Sequence, residues 1–321
     1  MTSRRAIRIR TAAVLLGAAA VFTAAAPVQA APITSYTLPG DNLFPEGFGW
    51  DSSNGNVFVG SLGDGSVVRF NVADASSATV FSAGGADGRS QVLGVRANHG
   101  LVYVAGGATG KVWVYDEATG ALKAELWDGR TDGLLNDFAF LPDGTAFVTD
   151  TLQPILWRIA PDATGALQIS EWLDFTGTAF QYVPGQPEAD GIVAAPSGRY
   201  LVVNSLSTGN LYRVGVADKS VRQIDTGGAE LTNADGMDLH SQDLYVARNA
   251  NGEIVRLTLG PNAGKATVRS RTTNPSWLFP TSAIVTGRRM LVLNSQLNLL
   301  FGGGGGSPTL PFTVSSVPRP S

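Results

Sequence analysis

Six copies of one short phrase run through this chain, each opening on a polar residue and passing into a mostly apolar stretch. They are Glu46-Gly-Phe-Gly-Trp, Gln91-Val-Leu-Gly-Val, Asn136-Asp-Phe-Ala-Phe, Asp190-Gly-Ile-Val-Ala, Asp235-Gly-Met-Asp-Leu and Thr281-Ser-Ala-Ile-Val. Successive leading residues stand 45, 45, 54, 45 and 46 positions apart. A period in the forties, repeated this evenly, restricts the fold to a radial or stacked array of one supersecondary unit. Within a unit the pattern is one of strands. The opening run, such as Phe138-Ala-Phe-Leu, meets a turn such as Leu141-Pro-Asp-Gly-Thr145. A second run follows (Val102-Tyr-Val), then a third (Val112-Trp-Val-Tyr) and a less regular fourth (Leu122-Lys-Ala-Glu-Leu). Short β-branched and aromatic runs bounded by Gly, Asn, Asp and Pro are strands and turns. Four antiparallel strands per unit, six times over, describe an all-β, six-bladed β-propeller. Ile33–Leu38 and Pro311–Ser316 both read as outer strands, and either would complete the last blade. The Gly302–Gly306 run reads as a flexible turn before the final strand. No lysine or helix start follows it, so it is not a phosphate cradle.

Residues 1–30 stand apart from the repeats. Arg4, Arg5, Arg8 and Arg10 precede an apolar run from Ala12 to Ala26, and Val28-Gln29-Ala30 is a small-residue cleavage site. This is a secretory signal, which predicts a secreted protein. Residues 31–321 then form a single propeller domain. Of 23 basic residues four lie in the leader, and against 26 acidic ones the remainder is net −7. With no basic cluster, nucleic acid is not an expected partner. No membrane association is expected once the signal is removed, and the domain reads as a monomer. The chain has no cysteine, so its stability rests on its core and on any bound ion.

In a propeller the first strand of each blade lines the central channel. The leading residues Glu46, Gln91, Asn136, Asp190, Asp235 and Thr281 should therefore ring one mouth. Two carboxylates 4 Å apart repel by about 4 kcal/mol at an effective dielectric near 20. Protonation or a bound cation must offset that repulsion. An all-oxygen donor set suits a hard divalent cation, Ca²⁺ first, with Mg²⁺ or Mn²⁺ as alternatives. Such an ion is either catalytic or a cap that only ties the blades together. The two histidines, His99 and His240, fall in turns at the opposite end, which argues against a histidine-driven mechanism. Turns at the ion's own end carry Asp150, Asn204, Asn249 and Asn294, which read mainly as turn formers.

Pro45-Glu46-Gly47, Asn136-Asp137 with Pro142-Asp-Gly144, Asp190-Gly191 and Ala234-Asp235-Gly236-Met237, in this order and spacing, resemble the SMP-30/gluconolactonase/LRE-like family. The resemblance spans nearly all of residues 31–321. It implies a six-bladed propeller with a divalent cation, often calcium, at the channel mouth, and hydrolysis of sugar lactones or related esters. By position it implies Glu46, Asp190, Asp235 and Asn136 as metal ligands, and Asp235 also as base or nucleophile. Asn136 and Asp137 match a pair that contacts substrate or ion, with Asp137 positioning substrate or moving a proton. Asp190 stands where the family usually has asparagine, and Leu134 where sugar-lactonase members can carry an arginine. The second departure favours a less polar substrate. The spacing of 54 places extra residues between Phe175 and Glu188, just before Asp190. They read either as a lid, with Phe180 and Tyr182 contacting substrate, or as an ordinary tolerated insertion. The functional expectation is a secreted metal-dependent hydrolase of small lactones or esters. The alternative is a non-catalytic binding module with a structural cation, in which Phe180, Tyr182 and Trp277 form the contact surface.

Overall fold

The computed structural model describes residues 32–302 and 305–320, so the leader expected over 1–30 and residues 303–304 of the glycine run lie outside it. Six sheets of four antiparallel strands are arranged around one channel. The innermost strands are Pro45–Trp50, Val95–Asn98, Leu135–Phe140, Ala189–Ala194, Ala234–His240 and Pro280–Thr286. Each later strand of a blade hydrogen-bonds to the one before it. Helix is confined, among the described residues, to single short turns such as Leu297–Leu300. None is long and apolar enough to cross a membrane.

The strand pattern read from sequence forms because alternate residues bury themselves between neighbouring blades. Tyr103, Val112 and Val114 of blade two thus pack against Phe138, Val148 and Trp157 of blade three. Such inter-blade layers repeat around the ring and take the place of one central core.

Ring closure uses both chain ends. Thr313–Pro318 is the third strand of blade six, and the N-terminal strand Ser35–Thr37 pairs outside it. The two candidate closing segments are therefore neighbours in one sheet. Tyr36 fixes this closure: its ring stacks on Phe70 of blade one at 4.4 Å, and its hydroxyl donates to Val72 O at 2.7 Å. A buried aromatic that joins first and last blades should be costly to truncate. Tyr36→Ala is expected to lose roughly 3 kcal/mol in urea denaturation, with the slope unchanged.

Candidate metal centre

Five of the inner strands begin with the same irregularity. Pairing with the second strand skips two residues after Pro45, Leu135, Ala189, Ala234 and Pro280, a β-bulge that re-aims the side chains at that point. The re-aimed residues are Glu46, Asn136, Asp190, Asp235 and Thr281. All five are buried, and all five line one small cavity at the channel mouth.

The second blade departs from the expected register. Its inner strand pairs Val95 with Val104, as Phe48 pairs with Val59 in blade one. Leu93, not Gln91, therefore holds in blade two the position that Glu46 holds in blade one. Gln91 stays within its own blade and donates to Gly106 O at 3.2 Å. The glycines show why the register is fixed. A Cβ on Gly47 would lie 2.3 Å from Leu93 O, one on Gly94 1.9 Å from Asn136 O, and one on Gly191 2.6 Å from Asp235 O. In blades one, two and four the inner strand thus presses its backbone against the next blade's leading carbonyl. A side chain would hold the strands apart and widen the mouth. Thr281 closes the circle by donating its hydroxyl to Glu46 O at 2.9 Å, so that hydroxyl is spent on the backbone.

Glu46, Asp190 and Asp235 each offer a carboxylate oxygen, and these oxygens lie within 4.8 Å of one another. Oxygens bound to one Ca²⁺ at 2.3–2.6 Å can be no more than about 5 Å apart. The cavity they surround is about 10 Å³, roughly enough for one water or one ion. The donor set and the space therefore fit a single hard cation. Asn136 lines the same cavity, and its Nδ2 donates to Thr151 Oγ1 at 3.1 Å and to Asp190 Oδ2 at 3.0 Å. Asp235 is held by Asn249 Nδ2 at 2.6 Å and by the Gly236 N–H at 2.9 Å.

Burial dominates the electrostatics. It pushes Glu46 and Asp190 well above the carboxylate range, and repulsion from Asp235 adds to both. Asp235 is pushed up to about 7 by burial, despite the hydrogen bonds from Asn249 and Gly236 that oppose the shift. Without a cation, these groups retain protons at pH values where an exposed carboxyl has lost them.

Asp137 reaches the same cavity with a different partner. Its Oδ1 accepts the Phe138 N–H at 2.8 Å, and its Oδ2 is ion-paired with Arg96 Nη2 at 2.7 Å. By residue type alone Arg96 carries no signal, since a lone arginine on a strand reads as a solvated residue. Its guanidinium also donates to the carbonyls of Phe48 and Met237. It thus joins blades one, two, three and five and floors the acidic cavity. Arg96→Met should leave Asp137 unpaired and cost roughly 3 kcal/mol in denaturation. Adding Asp137→Asn should recover part of that loss.

The remaining expected residues lie elsewhere. Phe180 is buried between Phe175 and Tyr212, with ring centroids 4.5 and 4.4 Å away. Tyr182 donates its hydroxyl to Leu152 O. Both line a separate cavity of about 440 Å³ beside the insertion, which shares no lining residue with the acidic one. Asp150 caps a turn by accepting from the N–H groups of Leu134, Leu152 and Gln153. Asn294 bridges Thr313 and Ser315. Asn204 ties Gly191 N to Asp235 O, stapling blade four to blade five. His99 is in an exposed turn and His240 ends its inner strand, both at the far end.

No protein-family model matches the chain, and no curated protein matches it. Solved structures do. The major allergen Mala s 1 of Malassezia sympodialis superposes with a TM-score of 0.64 at 14% identity, covering 89% of this chain and 96% of that one. Regucalcin from Agrobacterium tumefaciens, a calcium-binding protein, gives 0.61 at 14% identity over 81% of this chain and 85% of that one. Virginiamycin B lyase from Staphylococcus aureus gives 0.57 at 13% identity over 80% of each. Identities this low establish a shared fold, and the family resemblance read from the motifs stands at that level.

Proposed function

We propose that this protein is a metal-dependent hydrolase of lactones or related esters, with Ca²⁺ as the resident cation. The observation that carries the reading is the convergence of Glu46, Asp190 and Asp235, from three different blades, on one ion-sized cavity. The calcium-binding neighbour supports the choice of metal. Glu46, Asp190, Asp235 and the Asn136 carbonyl would hold the ion. When bound, it supplies Lewis-acid polarisation of a carbonyl and a counter-charge for an oxyanion. Asp235 is the residue suited to take a proton from water or to attack directly, since Asn249 and Gly236 fix its carboxylate in place. Asp137, neutralised by Arg96, orients substrate or passes a proton at the cavity floor. The leader over 1–30 supports action outside the cell, on a small-molecule substrate. Leu134, half-buried before the third blade, supports a substrate of low polarity.

One observation favours a second reading. The acidic cavity is about 10 Å³ and its carboxylates are buried, so a substrate would have to sit above it or widen it. In that reading the ion is structural and the protein is a non-catalytic binding module. A panel of aliphatic lactones and aryl esters, assayed with calcium and with chelator, separates the two. Calcium-dependent turnover supports the hydrolase. Calcium-dependent stability with no turnover across the panel supports the binding module.

A further inference from the structure

The channel holds a second chamber. Trp50, Phe140, Ala194 and Leu239 sit four residues beyond Glu46, Asn136, Asp190 and Asp235, about 13 Å further along their strands. Together with Asp238 and Arg96 they line an open cavity of about 210 Å³ at the opposite mouth. Arg96 borders both chambers and divides them. All four of these apolar residues are half-buried: each packs against an inter-blade core and keeps part of its surface on this cavity.

The acid in this wall has no close ion-pair partner. Asp238 Oδ2 accepts the Val285 N–H at 2.9 Å, and the residue lines the chamber. Arg96, the nearest guanidinium, is committed to Asp137 at 2.7 Å and to backbone carbonyls. Among the described residues, no lysine, arginine or histidine nitrogen lies within 4.0 Å of the Asp238 carboxylate, although His240 follows on the same strand. A concave, largely apolar wall with one convergent polar group is the usual form of a small-ligand site. Here the polar group is a carboxyl with no ion-pair partner within 4.0 Å, with Arg96 and His240 attracting it only from further away. Aromatic walls suit the same partner, because ring faces attract ammonium groups.

We infer that the lower channel mouth binds a small ammonium ion bearing an apolar or aromatic body, with Asp238 as its counter-ion. The site is separate from the metal centre, since Arg96 lies between the two cavities. A divalent metal ion is disfavoured here because one carboxylate among apolar walls supplies too few oxygen ligands.

The test uses the full-length protein at pH 8, with benzylammonium and neutral benzyl alcohol as probes in calorimetry and saturation-transfer NMR. Benzylammonium is expected to bind at least tenfold more tightly than benzyl alcohol. Asp238→Asn keeps an acceptor for the Val285 N–H and should weaken benzylammonium at least tenfold. Ala194→Phe, which fills the chamber and leaves the Asp238 carboxyl unaltered, should abolish binding and covers the case in which Asp238→Asn does not fold. Saturating calcium should leave the affinity unchanged. Equal affinity for the two probes, an undiminished affinity in both variants, displacement by calcium, or no binding at 20 mM benzylammonium (about twenty times a 1 mM Kd) would each overturn the inference.

Discussion

In the presence of a chelator, the melting temperature should fall as the pH is raised from 5 to 8, and saturating calcium should reverse that trend. The cause lies in the three clustered carboxyls. Burial raises Asp235 to about 7 from an ordinary value of 3.8, and raises Glu46 and Asp190 in the same direction. The folded protein therefore holds more protons than the unfolded chain across this window. Stability from a raised carboxyl is fully present below the unfolded value and is lost as the pH climbs through the folded one. Surface aspartates such as Asp74 and Asp162 act the other way, because Ser and Thr hydrogen bonds hold them low, but they titrate below this window. Calcium requires the deprotonated site, so its affinity grows as the pH rises. At a thousandfold excess over Kd it adds about 4 kcal/mol. For a chain of this size that corresponds to roughly 8 °C. Differential scanning fluorimetry at several pH values, with calcium and with chelator, reads both slopes. Parallel curves with and without calcium would remove the ion from the account.

Asp235→Ala should lower kcat on any lactone or ester that the wild type turns over by about 10²–10⁴-fold, measured at saturating calcium. Saturation matters because the residue has two assigned tasks. Loss of a ligand alone would appear as a higher calcium requirement, with activity restored by excess metal. Loss of the base or nucleophile would persist at any calcium concentration. Asp190→Asn provides the contrast, since it removes a charge from the ion's surroundings and leaves Asp235 in place. It should raise the calcium needed for half-maximal activity and leave kcat within about tenfold of wild type. If Asp235→Ala matches wild-type kcat under saturation, Asp235 has no part in the chemistry.

The propeller could be read from the sequence because each blade repeats one strand pattern and one leading residue. The three carboxylates were legible for a more specific reason. Glu46, Asp190 and Asp235 are each followed by glycine, and the structure shows that glycine is needed where neighbouring inner strands nearly touch. The same signal would have corrected blade two. Aligning Gly94 with Gly47, Gly191 and Gly236 puts Leu93 in the ring and Arg96 in the channel, whereas even spacing favoured Gln91. Arg96 could not be singled out by residue type alone, because its importance comes from Asp137 and the carbonyls that three other blades bring to it. Insertion length placed extra chain before Asp190, but which way its aromatics turn depends on packing. Phe180 found partners in Phe175 and Tyr212, and the Tyr212 contact is long-range in sequence. Closure was ambiguous for a related reason: both end segments are strands of the same blade, and only their pairing assigns their order.

Isothermal titration of chelator-stripped protein with calcium at pH 8 tests the central claim most directly. The predicted result is one Ca²⁺ per chain for the wild type and no measurable binding for a Glu46→Gln, Asp190→Asn, Asp235→Asn triple variant that still melts cooperatively. A wild type that takes up no calcium, or a triple variant that binds it as the wild type does, would contradict the account.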